Sequence, residues 1–314
     1  MTVLRAAVVV PALAACVAVQ AQPYPARPVR FVTSEPGGGN DIVARMLAEG
    51  LTASLGQRVI VDNRGIIAAE IVKNAAPDGH TLLVYGANIW LLPLLRSGVP
   101  WDALRDFSPV TIAVQLPNIL VVHPTLPVKS VRELIDHARA RPGKLDYAAG
   151  TIGVSPHLAA ELFRSMTGVD IVRVPYKGGG PALNGLIAGE TQLMFPNAGS
   201  VLPHMKSGRV RALAVSSAQP STLAPGLPTI AATVPGYEFA AVICLYAPAH
   251  TPRAVVERLN RESVRVLNAP EVKERLFNTG NELVASSVEG FRAFMKADME
   301  KMGKVIRDAG IRAE

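Results

Sequence analysis

Cysteine is almost absent from this chain, with two in 314 residues, Cys16 and Cys244. Cys16 falls in an N-terminal stretch with the pattern of an export leader, so the mature chain would keep Cys244 alone and form no internal disulfide. Aromatic residues make up only 5% of the sequence. The basic residues never gather into a run of five or alternate with aromatics, which argues against nucleic-acid binding. The six histidines (80, 123, 137, 157, 204 and 250) include no H-x-H or H-E-x-x-H spacing, so no metal site is expected. No G-x-x-x-x-G-K-[ST] occurs, and Ile42 stands where a dinucleotide fingerprint needs its third glycine, so no nucleotide cofactor is expected either.

Apolar residues are plentiful instead. They make up 49% of the sequence, enough for the core of one large domain or two medium ones. Most are Val, Ala, Leu and Ile, which suits short buried strands alternating with helices and predicts an α/β fold.

The leader is predicted over residues 1–21. Arg5 is its positive end, Ala6 to Val19 its apolar stretch, and Val19-Gln20-Ala21 a small-residue site with cleavage after Ala21. Pro11 and the modest length argue against a membrane span. Leu13-Ala14-Ala15-Cys16 is a competing lipid-attachment pattern that would anchor the chain through Cys16. Removing Arg5 takes the formal net charge from +7 to +6, with 31 basic residues against 25 acidic, a balance that attracts anions.

Extended runs and helical patterns alternate along the rest: "VRFVT" and 40–55, "RVIVD" and 68–75, "TLLVY", "NILVVH" and 130–141, then "LDYAA", "DIVRVPY", "LMF" and "RALAVSS" with helices between. This alternation predicts parallel strands with crossover helices. Ser130 and Glu133 stand in capping-box register at one helix start, and Ser286 and Glu289 at another. Thr251 with Pro252 marks the start of a helix over 252–268.

Two stretches share one design: "VRFVTSEPGGGNDIVARML" at 29–47 and "VRVPYKGGGPALNGLI" at 172–187 each run strand, polar link, three glycines, helix. Helix N-termini carry unpaired N–H groups and partial positive charge, and glycine lets a ligand come close to them. One such loop is most simply a tight turn. Two in separate halves of an α/β protein predict an anion held in a crevice at the strand ends. "GTIGVSPHL" offers a third helix start, with Ser155 and Pro156 as cap and first turn. It misses the nucleophile elbow because His157 stands where the second glycine belongs. Asp41 is most simply an acid complementing its helix dipole.

Taken together, "YPARPVRFVTSEPGGGNDIVARMLAEGLTASLGQRVIVDNR", "PDGHTLLV", "DFSPV", "NILVVHPTLPVKSVRELIDHARARPGKLDYAA", "SPHLAAELFRSMTGVDIVRVPYKGGGPALNGLIAGETQLMF", "GRVRALAVSS" and "LPTI" followed by "VPGYE" resemble the Bug family. Its members are extracytoplasmic solute receptors of tripartite tricarboxylate transporters, and the likeness covers nearly the whole mature chain. The resemblance implies a two-lobed periplasmic binding protein of the type II, flytrap kind. Its ligand would be a small carboxylate between the lobes, its partners the membrane subunits of the transporter, its state monomeric and its role non-catalytic. Lobe 1 is expected over 22–122 plus 242–314 and lobe 2 over 123–241.

Carried over by position, the ligand-binding residues are Pro36, Gly37, Gly38, Gly39, Asn40 and Asp41 in the first loop and Asn88 in "YGANIW". The second-lobe loop adds Thr151, Gly153, Ser155 and His157, followed by Tyr176 and Lys177 in "PYKGG" and Asn197 after "LMF". The chain departs from the family pattern in Ser34-Glu35, in the shortened apolar "GIIAAE", in "YGANIWLLP" and "AVICLYAP", and in Pro196. Two other readings are a periplasmic enzyme using His157 with Asp41 or Glu35, and a receptor that presents its ligand to a membrane sensor kinase.

Overall fold

The computed structural model describes residues 24–312 apart from 151. The expected leader, Cys16 and Thr151 lie outside the described residues. In chain order the fold begins with β1 (Val29–Thr33), α1 (Gly39–Leu55), β2 (Val59–Asn63), α2 (Ala68–Lys73), β3 (Thr81–Gly86), α3 (Asn88–Leu95) and β4 (Phe107–Pro117). It continues with β5 (Ile119–Val122), α4 (Val131–Arg139), β6 (Leu145–Ala149), α5 (Ser155–Thr167), β7 (Ile171–Pro175), α6 (Gly179–Ala188), β8 (Leu193–Met194), α7 (Ala198–Lys206) and β9 (Arg211–Val215). It closes with β10 (Ala240–Pro248), α8 (Arg253–Leu267), α9 (Pro270–Asn278), β11 (Glu282–Leu283) and α10 (Val288–Asp308).

These elements build two sheets, in the orders β11-β4-β10-β3-β1-β2 and β7-β6-β8-β5-β9. Strand β5 hydrogen-bonds β8 and β9, and β10 lies between β3 and β4. The chain therefore changes sheets at Asn118, the single residue between β4 and β5, and returns over 216–239. Residues 119–122 belong to the second sheet, and Ala240 and Ala241 to the first.

The sheets are mixed, where the alternation predicted parallel strands. β1 pairs parallel with β2 and β3, and β6 with β7 and β8. β10 and β5 run antiparallel to their partners, because each enters its sheet directly from the other lobe without a crossover helix.

The first sheet is covered on both faces, which is why β1 is buried at Val29, Phe31, Val32 and Thr33. On one face, Val43, Leu47 and Leu51 of α1 and Leu259 and Leu267 of α8 bury their side chains completely. At about 1.5–3 kcal/mol for each fully buried large apolar side chain, this helix pair is a main source of lobe 1 stability. Gly50 allows the pair to approach so closely that a Cβ there would collide with the branched end of Val266. On the other face, the apolar cluster containing Trp90, Phe291 and Tyr246 continues into lobe 2 through Leu158, Phe163 and Tyr237.

Helix starts follow local chemistry with three exceptions, the first being α5, where Val154 takes the cap position expected for Ser155 because the Ser155 hydroxyl is engaged by Asn118. The Ser130 hydroxyl oxygen accepts the Glu133 N–H at 3.2 Å, as the capping box predicts. For α10 the cap is Ser287, one residue later than expected, because the Ser286 hydroxyl oxygen accepts the Ile112 N–H of β4 at 2.8 Å. Thr251 donates its hydroxyl to the Pro248 carbonyl at 2.8 Å instead of capping α8. No helix among the described residues is long and apolar enough to cross a membrane.

Candidate functional site

The strands β1 and β3 end side by side, and their carboxyl ends deliver the turns that lead into α1 and α3. Antiparallel β10 begins at the same edge. A cleft of about 270 Å³ opens there between the lobes. Lobe 1 contributes Gly39 and Asn40 of α1, Tyr85 to Asn88 and Leu91 around α3, and Ala240 to Ile243 of β10. Lobe 2 contributes Gly153, Ser155 and Leu158 around α5 and Asn197 before α7. Leu116, Phe239 and Asp298 complete the wall.

Four helix N-termini meet at this cleft, those of α1, α3, α5 and α7. None has a side-chain cap: Gly38, Ala87, Val154 and Asn197 occupy the cap positions without making that hydrogen bond. Apart from the Trp90 and Ser200 N–H groups, which donate to the Ala87 and Asn197 carbonyls at 3.0 and 3.1 Å, their first-turn N–H groups and partial positive charges are left for something else to satisfy. Among the described residues, no Lys, Arg or His side chain lines the cleft. An anion here would be held by backbone dipoles.

The first glycine loop divides its labour. Gly37 has φ +80°, which an L side chain rarely adopts. Its N–H donates to Asp41 Oδ2 at 2.9 Å, while Asn63 donates to Asp41 Oδ1 at 2.9 Å. Burial alone would raise the Asp41 carboxyl, but hydrogen bonds from Arg45, the Gly37 N–H and Asn63 outweigh it and hold the group below the usual carboxylate range. Asp41 is therefore a brace for the loop, turned away from the cleft. Pro36, Gly37 and Gly38 are exposed and lie outside the cleft wall that Gly39 and Asn40 join. A Cβ on Gly38 would meet nothing nearer than the Glu35 carbonyl at 3.7 Å, so the position has room for a side chain.

The second-lobe loop follows the same plan. Gly153 has φ +82° and donates its N–H to His157 Nδ1 at 3.1 Å. His157 is buried, and burial with the nearby Arg173 pushes its pKa down to about 4. It is thus a neutral acceptor that shapes the loop. The Ser155 hydroxyl donates to Asn118 Oδ1 at 2.7 Å, so its side chain ties α5 to the sheet crossing.

Among the sequence-predicted residues, Gly39, Asn40, Asn88, Gly153, Ser155 and Asn197 meet in the cleft. Tyr176 and Lys177 do not. The Tyr176 hydroxyl donates to Glu190 at 2.9 Å, Lys177 is exposed, and the 178–180 glycines line a neighbouring pocket of about 320 Å³ that shares Asn197. The reason is topological: β7 is the far edge of its sheet, so the loop that follows it lies off the crossing.

Sequence reasoning missed Tyr85, Leu91, Leu116, Leu158, Phe239, the β10 residues and Asp298. Only the apolar run at 240–248 carried a signal, and that signal was of a strand. Glu35 lies outside the cleft wall: its carboxylate covers Gly65, whose φ is +60°, and adds to burial in raising the pKa of Tyr85. Burial likewise raises Asp298, against the indole hydrogen bond from Trp90 and the charge of Lys301, with Glu238 adding to the rise. Among the described residues, no group of three His, Cys, Asp or Glu side chains is placed to hold a metal ion.

A family model described as the tripartite tricarboxylate transporter family receptor matches residues 43–311. The chain belongs to this receptor family. It is 36% identical to protein BugT of Bordetella pertussis over 303 residues, covering 93% of this chain and 92% of BugT. Among solved structures it is similar to Rpa4515 of R. palustris with adipate, at 36% identity and a TM-score of 0.74 over 93% of this chain and all of the other. It is also similar to MatC of Rhodopseudomonas palustris with bound malate, at 26% identity and a TM-score of 0.69 over 90% of this chain and all of MatC. Like these receptors, it is a two-lobed solute-binding protein.

Proposed function

We propose that this receptor captures a small organic acid in the cleft between its lobes and delivers it to the membrane subunits of a tripartite tricarboxylate transporter. It works in the periplasm as a monomer, after removal of residues 1–21. One observation carries the reading: four helix N-termini without side-chain caps surround a cleft of about 270 Å³ that no cationic side chain among the described residues lines. A carboxylate supplies the acceptors those N–H groups need. Adipate in Rpa4515 and malate in MatC support that ligand class.

Gly39, Asn40, Asn88, Gly153, Ser155 and Asn197 are the contact residues, mainly through the backbone. Lobe 1 is built on the first sheet and lobe 2 on the second, joined at Asn118 and 216–239, and a ligand touching both lobes shifts the population toward a closed state. An enzyme is disfavoured because Asp41 and His157, the best acid–base candidates, are both committed to holding their own loops.

The test is a thermal-shift screen of the chain from Gln22 onward against mono-, di- and tricarboxylates, aromatic acids and amino acids. An acid at about a hundred times its Kd should add roughly 2.7 kcal/mol of stability. No shift by any acid, in folded and ligand-free protein, would overturn the proposal. Conversion of the tightest-binding acid into product over hours would overturn its non-catalytic part.

A further inference from the structure

Among the described residues Asp298 is the one charged side chain in the cleft wall, and the capture of a carboxylate by backbone N–H groups has no use for it. It comes from α10 and is held from behind. Trp90 of α3, fully buried, donates its indole N–H to Asp298 Oδ2 at 2.8 Å, and the indole packs against Phe291 and Phe294 of the same helix. No donor among the described residues reaches Oδ1.

Two further charged groups lie near it. Lys301, one turn along α10, donates to the Glu238 carbonyl at 2.7 Å, and Glu238 adds a second negative charge from the segment that returns between the lobes. A fixed carboxylate oxygen short of donors, in a partly dry wall, favours a ligand that brings a donor and penalises one that brings a second negative charge.

Resting on the receptor reading above, we propose that Asp298 reads the second functional group of the ligand. The ligand is a carboxylic acid whose other end carries a hydrogen-bond donor, an ammonium or a hydroxyl. One end satisfies the helix N-termini and the other satisfies Oδ1, so the cleft selects amino and hydroxy acids over dicarboxylates of equal length. The raised pKa of Asp298 fits an acceptor awaiting its donor.

Titration calorimetry on the chain from Gln22 onward tests this with two matched sets at neutral pH: γ-aminobutyrate, γ-hydroxybutyrate and succinate, then ε-aminocaproate, ε-hydroxycaproate and adipate. A hydrogen bond to a charged acceptor is worth about 1.5–3 kcal/mol, so the best donor-ended acid should bind at least about tenfold tighter than its dicarboxylate. Asp298→Asn keeps the acceptor for Trp90 and loses the charge, and it should remove that preference. Lowering the pH should weaken binding of the donor-ended acids as Asp298 takes up its proton.

Dicarboxylates binding tightest in the unmodified protein, and tighter still at low pH, would overturn the proposal. It would show Asp298 acting as a protonated donor to a second carboxylate, with the receptor reading intact. An unchanged ranking in folded Asp298→Asn would also overturn it. Failure of every acid in both sets and in the wider screen would overturn the receptor reading and this proposal together.

Discussion

Asn118 accepts the Ser155 hydroxyl at 2.7 Å and donates its own amide to the Phe195 carbonyl, so the one residue between β4 and β5 is bonded to the start of α5. Its N–H donates to the Ser216 hydroxyl oxygen at 2.8 Å, and Ser216 donates to the Phe239 carbonyl at 2.6 Å. Both passages of the chain between lobes are therefore joined in one polar network that ends at the cleft. Asn118→Ala leaves the Phe195 carbonyl and the Ser155 hydroxyl without partners and should cost about 1–3 kcal/mol in urea unfolding. Ser155→Ala should cost less, about 0.5–1.5 kcal/mol, and the double variant less than the sum. Strict additivity would mean that the two side chains are independent.

Gly38→Asp should separate stability from binding. Gly38 has φ −79° and ψ 168°, an extended conformation open to any residue, and it occupies the vacant cap position of α1. An aspartate there caps the helix, but glycine is itself a tolerated cap, so stability should rise by only a few tenths of a kcal/mol. The same carboxylate occupies the N–H groups meant for the ligand. Acid binding should fall by an order of magnitude or more while the melting temperature rises, read by calorimetry and thermal unfolding of one sample. Undiminished affinity would place the ligand elsewhere.

The buried His157 makes stability depend on pH. Its folded pKa of about 4 lies below the ordinary value of 6.5, so between them the unfolded chain binds a proton that the folded chain refuses. The contribution of His157 is complete above the ordinary value and is lost as pH falls toward the folded one. At 1.36 kcal/mol for each unit, the loss from pH 6.5 to 4.5 is about 2–3 kcal/mol. His157→Asn keeps an acceptor for the Gly153 N–H without a titrating ring, so its unfolding free energy should fall less over the same interval. Parallel pH profiles for the two proteins would contradict this account.

At Gly50 the approach of α1 to α8 leaves no room for a methyl group. Gly50→Ala gains helix propensity worth about 1 kcal/mol, yet it must displace Val266, and overpacking of this kind costs about 1–3 kcal/mol. We expect net destabilisation by thermal melting, relieved in the double variant Gly50→Ala, Val266→Ala. A stabilised single variant would show that α8 can shift freely.

What the sequence disclosed was local. Ser130 capped α4 as its spacing to Glu133 required, although the Glu133 carboxylate accepts the Lys129 N–H instead of that of Ser130, and the glycine loop before α1 announced a helix N-terminus. Neighbouring serines blurred the start of α10: spacing cannot say that Ser286 is engaged by Ile112 of a distant strand and that Ser287 is free to cap. Helix α3 was hidden because "NIWLLPLL" is apolar on nearly every side and carries Pro93, so it shows no amphipathic period. Strand β4 pairs with β10 through two register irregularities that blur its alternation. Asp298 sits on a long charged helix whose other acids face water, and only the fold brings it beside Trp90, more than two hundred positions earlier.

The place of β10 in the first sheet sets the order in which this protein can be completed. As the chain is made, β1, β2 and β3 can associate early, and the five strands of the second sheet are all present by Val215. The middle of the first sheet stays empty until Ala240 to Pro248 arrives between β3 and β4. The same segment supplies the β10 wall of the cleft, so a nascent chain can form lobe 2 long before it can recognise a solute. Binding therefore waits until the last third of the chain has joined the first.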